Sequence, residues 1–382
     1  MKKYLTKEKI VKIAVAMIFC LIYIAILVKA NRGFKGYTTS DQTGVEYEQA
    51  KVVEVTKDSA VSDETAEGYR RGSLDLKIKI LTGRYKGDVV DVTDYLSPMY
   101  NVDVKKGDNL TVRIDTTGQG QYQVSVYNYD RTGILIAFIV LFAIALILIG
   151  GMQGARAFVG LVFTFVSIVY LVVPLTLKGY HSVIVTIIFV ALTSFVSLYL
   201  LGGIQPKTLG AMLGCLAGVC FAAILGLIAS KLIHISAYQM EEAEALMLVK
   251  NDYNLKMRGL FLSGIIIASL GAVMDISMSI ASGMDEIKLK KPELTAKELF
   301  ASGMKIGRDA SGTMANTLVL AFAGSSFNMM LLIYSYKVSF IQLMNTDFIA
   351  IELIRGIAGS LGILFAVPCV SLVTAFLLEK KK

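Results

Sequence analysis

Eight uninterrupted apolar runs, at residues 10–28, 133–151, 157–177, 182–202, 209–230, 259–280, 312–334 and 356–378, leave this chain little choice of environment. A helix of about 20 apolar residues crosses the hydrocarbon of a bilayer. Hydrophobic residues make up 55% of the chain, above the roughly 45–50% of a soluble domain. The expected fold class is a polytopic α-helical membrane protein with about eight transmembrane helices. The first run follows the basic start Met1-Lys-Lys-Tyr-Leu-Thr-Lys-Glu-Lys, which also describes a signal peptide, and Val28-Lys29-Ala30 weakly resembles a cleavage site. The run is longer than a usual signal core, so residues 1–29 are read as an uncleaved anchor.

Charge sets the expected orientation. The net formal charge is +8, yet residues 30–131 hold 14 Lys/Arg against 16 Asp/Glu, leaving 24 against 14 elsewhere. Basic residues favour the cytoplasmic side. Arg156, Lys207, the group Lys288, Lys290, Lys291, Lys297, Lys305 and Arg308, and the tail Lys380-Lys381-Lys382 fall on the side of the basic N-terminus. Lys178, Lys231, Lys250, Lys256, Arg258, Lys337 and Arg355 fall on the other. Both termini are therefore expected in the cytoplasm and residues 30–131 outside it. The basic excess suits anionic lipid. Nucleic acid is not expected, because the soluble segment is the slightly acidic part.

Residues 30–131 read as β. Val45–Thr56, Ser73–Leu81, Lys86–Val92, Leu110–Asp115 and Gln121–Asn128 alternate and are rich in β-branched residues. Leu74-Asp-Leu-Lys-Ile-Lys-Ile80 alternates throughout. Thr82-Gly83, Lys86-Gly87-Asp88, Lys106-Gly107-Asp108 and Gly118-Gln-Gly120 mark turns. Asp94–Asn101 reads as a short helix or loop. Five strands with an insertion there suggest an all-β, OB-like barrel. No stacked-aromatic and basic stripe is visible along the sequence, so a structural or partner-docking role is expected of it.

The remaining segment, 132–382, is expected to form a seven-helix membrane domain, and it carries the motifs. Gly210, Gly214, Gly218, Ala222 and Gly226 recur every four residues and make one bare helix face, the pattern by which helices pack closely in lipid. Gly356, Gly359, Ser360 and Gly362 repeat the idea more loosely. The sixth run places Gly271, Asp275, Ser279 and Ser282 on one face. The seventh is opened by Arg308 and Asp309 and continues with Gly312, Thr313 and Asn316. Ionisable groups in a span face a partner or water, so Asp275, Ser279, Ser282, Arg308, Asp309, Thr313 and Asn316 are the candidate substrate or ion path, with Asp275 expected near the Arg308–Asn316 segment. Thr295 and Glu298 have capping-box spacing, which predicts an amphipathic cytoplasmic helix over 295–310 with Leu299, Gly303, Ile306 and Ala310 on one face.

No enzyme signature is present: there is no Walker A, HExxH or GxSxG pattern. His234, Tyr238 and Glu241 could share a helical face beside Glu242 and Glu244, but no closed ligand set is spaced for a metal. Cys20, Cys215, Cys220 and Cys369 all fall in apolar runs, which argues against a disulfide framework. No cofactor or metal is expected.

The order Gly271-Ala-Val-Met-Asp275, Ser279-Ile-Ala-Ser282, Ser302-Gly303-Met-Lys-Ile-Gly307-Arg308-Asp309 and Gly312-Thr-Met-Ala-Asn316-Thr-Leu318 resembles the YibE/F-like family of bacterial membrane proteins, from about residue 130 onward. The anchor and β domain look like that family's longer form. The resemblance implies a bacterial cytoplasmic-membrane protein, often guessed to be a transporter or permease, and supplies no substrate. The expected function is transport of a small solute or ion. The alternative is a non-transporting scaffold or sensor whose β domain or cytoplasmic helix docks a ligand or protein. The expected partners are the bilayer, the solute and such a protein; a homo-oligomer is compatible with the sequence.

Overall fold

Alternation of β-branched and polar residues builds one part of the molecule, and long apolar helices the other. In the computed structural model, which describes residues 7–34, 44–64, 66–116 and 122–380, these are two compact units, Lys35–Ala145 and Met1–Phe34 with Leu146–Lys382. The predicted turn at Gly118–Gly120, the basic start at residues 1–6 and the end of the lysine tail lie outside the described residues.

In the β unit, strand β1 (Val45–Asp58) pairs antiparallel with β3 (Arg70–Ile80) on one side and β5 (Asn109–Asp115) on the other. Outward from these, β3 pairs with the two-residue β2 (Val61–Ser62) and with β4 (Val89–Leu96), while β5 pairs with β6 (Gln123–Tyr129). Two register shifts bend β1, between Val52 and Glu54 and between Val55 and Lys57, as bulges do. The antiparallel sheet curls, and β4 comes to lie beside β6. Leu74, Leu76, Ile78 and Ile80 of β3 are all buried, with Val52, Leu110, Val112 and Ile114. The segment expected as a short helix or loop from Asp94 instead continues β4 to Leu96, where Leu96 fills the core at 3% exposure. The loop that follows is pinned by Ser97 N–H donating to the Tyr100 carbonyl and Asn101 Nδ2 donating to the Arg70 carbonyl.

The helical unit begins with α1 (Lys7–Asn31). Its Tyr23 hydroxyl meets Ser167 Oγ at 2.6 Å, and Asn31 Nδ2 donates to the Tyr170 carbonyl at 2.7 Å. The second and third apolar runs form one continuous stretch, α2 (Thr132–Ser167), a π-helical turn (Ile168–Val172) and α3 (Val173–Leu177). Gly151 breaks it with φ 55° and ψ −136°, a conformation glycine adopts without steric cost. The chain turns so sharply that a Cβ on Gly154 would run into the Leu146 carbonyl. Arg156, expected in a loop, lies within α2.

Helices α4 (Ser182–Gly202), α5 (Pro206–Leu232), α7 (Leu260–Lys290), α8 (Ala296–Ser325) and α11 (Asp347–Glu379) make the bundle core. Between them lie the short α6 (Ala243–Asp252), α9 (Phe327–Ser335) and α10 (Phe340–Met344). Among the described residues, five helical stretches are long and apolar enough to cross a membrane. The number becomes six if α8 and α9, bent by 58°, count as one broken span. The sequence suggested eight; merging at Gly151 and the shorter apolar stretch Met17–Asn31 of α1 account for the difference.

Two local expectations change. The capping box forms, with Thr295 Oγ1 accepting from Glu298 N–H and Glu298 accepting from Thr295 N–H at 2.9 Å. The helix it starts is not a separate surface element over 295–310, however. It runs on to Ser325, with Leu299, Gly303, Gly307 and Ser311 buried. His234, Tyr238 and Glu241 do not share a helical face, because His234 has φ 58° and only Ala237–Gln239 forms a 3-10 turn there.

Candidate functional site

The bare face of α5 packs on α11. A Cβ on Gly210 would strike Thr374, one on Gly214 would strike Val370, and one on Gly218 would lie 2.7 Å from Ala366 Cβ. Ala222 is fully buried and faces Gly362, while Gly226 turns to Ile265 of α7. This interface is tightly closed. It positions the helices around it and offers no channel.

The polar residues of α7 and α8 are not brought together. The α7 face that meets α8 carries Ile280 and Gly283, against Gly307 and Ile306. At about 100° per residue, Asp275 lies roughly 140° round the helix from Ile280. Asp275 and Ser279 are exposed and Ser282 is half-buried. Among the described residues Asp275 makes no ion pair or hydrogen bond with Arg308, Asp309, Thr313 or Asn316. Those four residues are themselves exposed, on the far side of α8 from its buried glycines. Lys305 and Arg308, counted with a cytoplasmic loop, lie inside α8.

Two ion pairs that sequence reading passed over lie partly buried in the bundle. Lys207 Nζ, at the start of α5, lies 2.8 Å from Asp285 Oδ2 of α7, whose side chain is 8% exposed. Asp285 continues the buried series Ser277 and Ala281 at four-residue spacing, which was its available signal. Near the other end of the bundle, Arg355 Nη1 lies 2.7 Å from Glu352 Oε1, one helical turn apart on α11. Arg355 was assigned to a loop because the eighth apolar run starts at 356. The Arg355 guanidinium sits 5.9 Å from the Phe261 ring centre, and its Nε is buried without a hydrogen-bond partner.

This second pair lines a cavity of about 440 Å³. Its wall includes Ser325 and Ser326, where α8 breaks into α9, together with Glu241, Glu242 and Asp347. Glu352 also borders an adjoining apolar cavity of about 340 Å³ between α8, α9 and α11. The last carbonyls of a helix carry partial negative charge, and α8 ends at this wall. Four carboxylates against one guanidinium give it a net acidic lining. Among the described residues no group of three His, Cys, Asp or Glu is close enough to hold a metal ion.

The β unit carries aromatic pairs that linear reading missed. Tyr85 stacks on Tyr122 at 4.0 Å with Arg84 above Tyr85, and Tyr47 meets Tyr127 edge-on at 4.9 Å. Their members are 37 and 80 residues apart in the chain; strand register joins Tyr47 to Tyr127, and the β3–β4 turn carries Tyr85 to Tyr122 beside the start of β6. Tyr95, Met99 and Tyr100 are strongly exposed at the β4 end. Asp94 is the electrostatic oddity. Burial pushes its carboxyl up to about 6, the nearby Asp103 adds to this, a Tyr95 backbone hydrogen bond opposes it, and Oδ2 has no partner.

These features define a multi-pass helical membrane protein that carries an antiparallel β-sheet domain. Residues 138–380 match the family model described as YibE/F-like protein, and residues 45–129 match the YibE/F family N-terminal domain. The chain belongs to the YibE/F-like family. No curated protein and no solved structure matches it.

Proposed function

We propose that this protein moves a small solute or ion across the bacterial cytoplasmic membrane. The observation that carries the reading is the cavity at the α8–α9 break, with the Glu352–Arg355 pair in its wall. Broken helices with ionisable residues beside the break are how transporters present polar groups to cargo inside a membrane. We assign the acidic cavity as the entry point and keep Asp275, Ser279 and Ser282 of α7 as a polar strip along the path.

The same reading takes eight crossings. A straight 46-residue helix would be about 69 Å long, more than twice the roughly 30 Å of hydrocarbon, so the turn at Gly151 divides Thr132–Leu177 into two spans. Both termini are cytoplasmic and residues 30–131 extracytoplasmic, in keeping with the lysine asymmetry. The path β4-β3-β1-β5-β6, with β4 returning beside β6, supports an OB-type barrel for the β domain.

Solute profiles of the medium, compared between a deletion strain and strains complemented with the native chain, Glu352→Gln or Arg355→Gln, test the function. Transport predicts one solute whose distribution changes on deletion and is restored by the native chain alone, at matched folded yield. Identical profiles in deletion and complemented strains would count against it. The exposed Tyr95, Met99 and Tyr100 favour a second reading, a sensor whose β domain docks a ligand or protein. In that case substitutions there, and not at Glu352, would abolish the phenotype.

A further inference from the structure

The outward face of α8 is polar where a lipid-facing helix should be apolar. Arg308, Asp309, Gly312, Thr313, Asn316 and Thr317 are exposed, and a Cβ on Gly312 would meet nothing within 4 Å. The opposite face is closed, with Gly303 against Met284 and Ser371, and Gly307 against Val367 and Ile280. These contacts, with Leu318 against Gly359, set the Arg308–Asn316 segment beside the middle of α7 and α11. Among the described residues, neither the Arg308 nor the Asp309 side chain has an ion pair or a hydrogen bond. Ionisable groups within a span face a partner or water, and none of the described residues supplies these two with a partner.

We propose that a second copy of this chain covers the face, so that α8 packs on α8 across a two-fold axis. At about 100° per residue, Arg308 and Asp309 lie at about −40° and +60° from Gly312. They therefore flank Gly312 on opposite sides at nearly the same height. A two-fold axis brings the left flank of one helix against the right flank of the other. Arg308 of each copy then meets Asp309 of its mate, twice. Gly312 sits on the axis and lets the backbones approach. Asn316 lies one turn further along the same stripe, where two copies hydrogen-bond to each other. Lys305 lies two turns before Gly312, and its long stem can carry the ammonium toward the membrane surface.

Charge complementarity singles out this occupant. A different protein would have to bring an acid and a base in matching order, and lipid chains bring neither. A second copy brings both by symmetry. The proposal goes beyond the transport reading and does not depend on it.

The test uses the full chain in membranes. Gly312→Cys, with Cys20, Cys215, Cys220 and Cys369 changed to Ala, is oxidised in native vesicles beside the control Leu213→Cys, an exposed position on α5. At least tenfold more disulfide-linked dimer for Gly312→Cys is expected. Arg308→Asp and Asp309→Arg should each cut that yield at least fivefold, and the double reversal should restore it. Folded yield is read in detergent by size exclusion, so that loss of the fold is not counted as loss of the dimer. Crosslinking of folded Gly312→Cys no better than the control would overturn the proposal. So would a double reversal that folds without recovery, or an adduct at position 312 of the mass of a different protein.

Discussion

Gly218 of α5 and Gly362 of α11 stand back to back: a Cβ on either would lie 2.9 Å from the carbonyl oxygen of the other. Apolar burial gives little drive between helices in lipid, so close backbone packing has to supply it. A leucine at either position has nowhere to go, because the obstacle is main chain on both sides. Gly218→Leu and Gly362→Leu should each cost about 3 kcal/mol, the upper end of ordinary overpacking. Leu213 points outward at 47% exposure, so Leu213→Ala should change stability by less than about 0.5 kcal/mol. Thermal unfolding in detergent measures all three. Equal melting temperatures would remove the claim that this contact holds the bundle.

Lys207 and Asp285 tie the start of α5 to the C-terminal half of α7. Asp285 is buried and Lys207 partly so; removing the lysine strands the carboxylate, at up to about 3–5 kcal/mol, whereas replacing both by apolar residues is often nearly neutral. Lys207→Met should therefore be strongly destabilising, and Lys207→Met with Asp285→Leu should recover most of the loss. A double-mutant cycle reads the coupling directly. Strictly additive effects would mean that the two side chains do not depend on each other.

Much of this architecture was legible in the sequence, for identifiable reasons. Leu74 to Ile80 announces its strand because one sheet face is buried and the period is two. The four-residue glycine spacing of α5 announces a contact face, although nothing in it says that α11 is the partner. The expected approach of Asp275 to the Arg308–Asn316 segment does not form, for a geometric reason. Asp275, Arg308 and Asn316 were assigned to faces of their own helices correctly, but the rotation of each helix about its axis is set by packing that sequence periodicity does not encode. The Glu352–Arg355 pair was missed because α11 starts nine residues before its purely apolar run. The Tyr47–Tyr127 pair depends on register between distant strands, and the Tyr85–Tyr122 pair on where the β3–β4 turn meets the start of β6.

Orientation in the bilayer gives a direct labelling prediction. Single cysteines placed at Ser62, in β2, and at Lys380, after α11, in a cysteine-free background should respond oppositely to an impermeant thiol reagent added to intact cells. Position 62 should label at once, and position 380 only after lysis. Label at 380 and none at 62 would invert the topology. It would also move the Glu352–Arg355 cavity to the cytoplasmic side, since α11 runs from that cavity to Lys380.

Asp94 makes the stability of the β domain fall as pH rises. Its carboxyl is held at about 6 in the folded domain, chiefly by burial, against an ordinary value near 3.9 in the unfolded chain. Below pH 4 it is protonated in both states and costs nothing. Between about pH 4 and 6 the folded state binds the extra proton, so stability declines with increasing pH, and above about 6 the full penalty remains. Two pH units correspond to about 2–3 kcal/mol. Asp58 acts in the opposite direction, because its hydrogen bond to Arg70 holds it below its ordinary value; that contribution is lost only under more acidic conditions. A fragment of residues 40–130 is large enough to fold alone, since Val52, Leu76, Ile78, Leu110 and Ile114 close their own core, and it should give a dispersed amide spectrum. Urea unfolding of this fragment from pH 4 to 8 should show the decline. Asp94→Asn keeps the volume and can still accept from the Tyr95 backbone, yet has no charge to bury. It should flatten the profile and raise stability at pH 7.5 by about 2 kcal/mol. A variant curve that runs parallel to the native one across this range would mean that the Asp94 carboxylate is already satisfied in the folded domain.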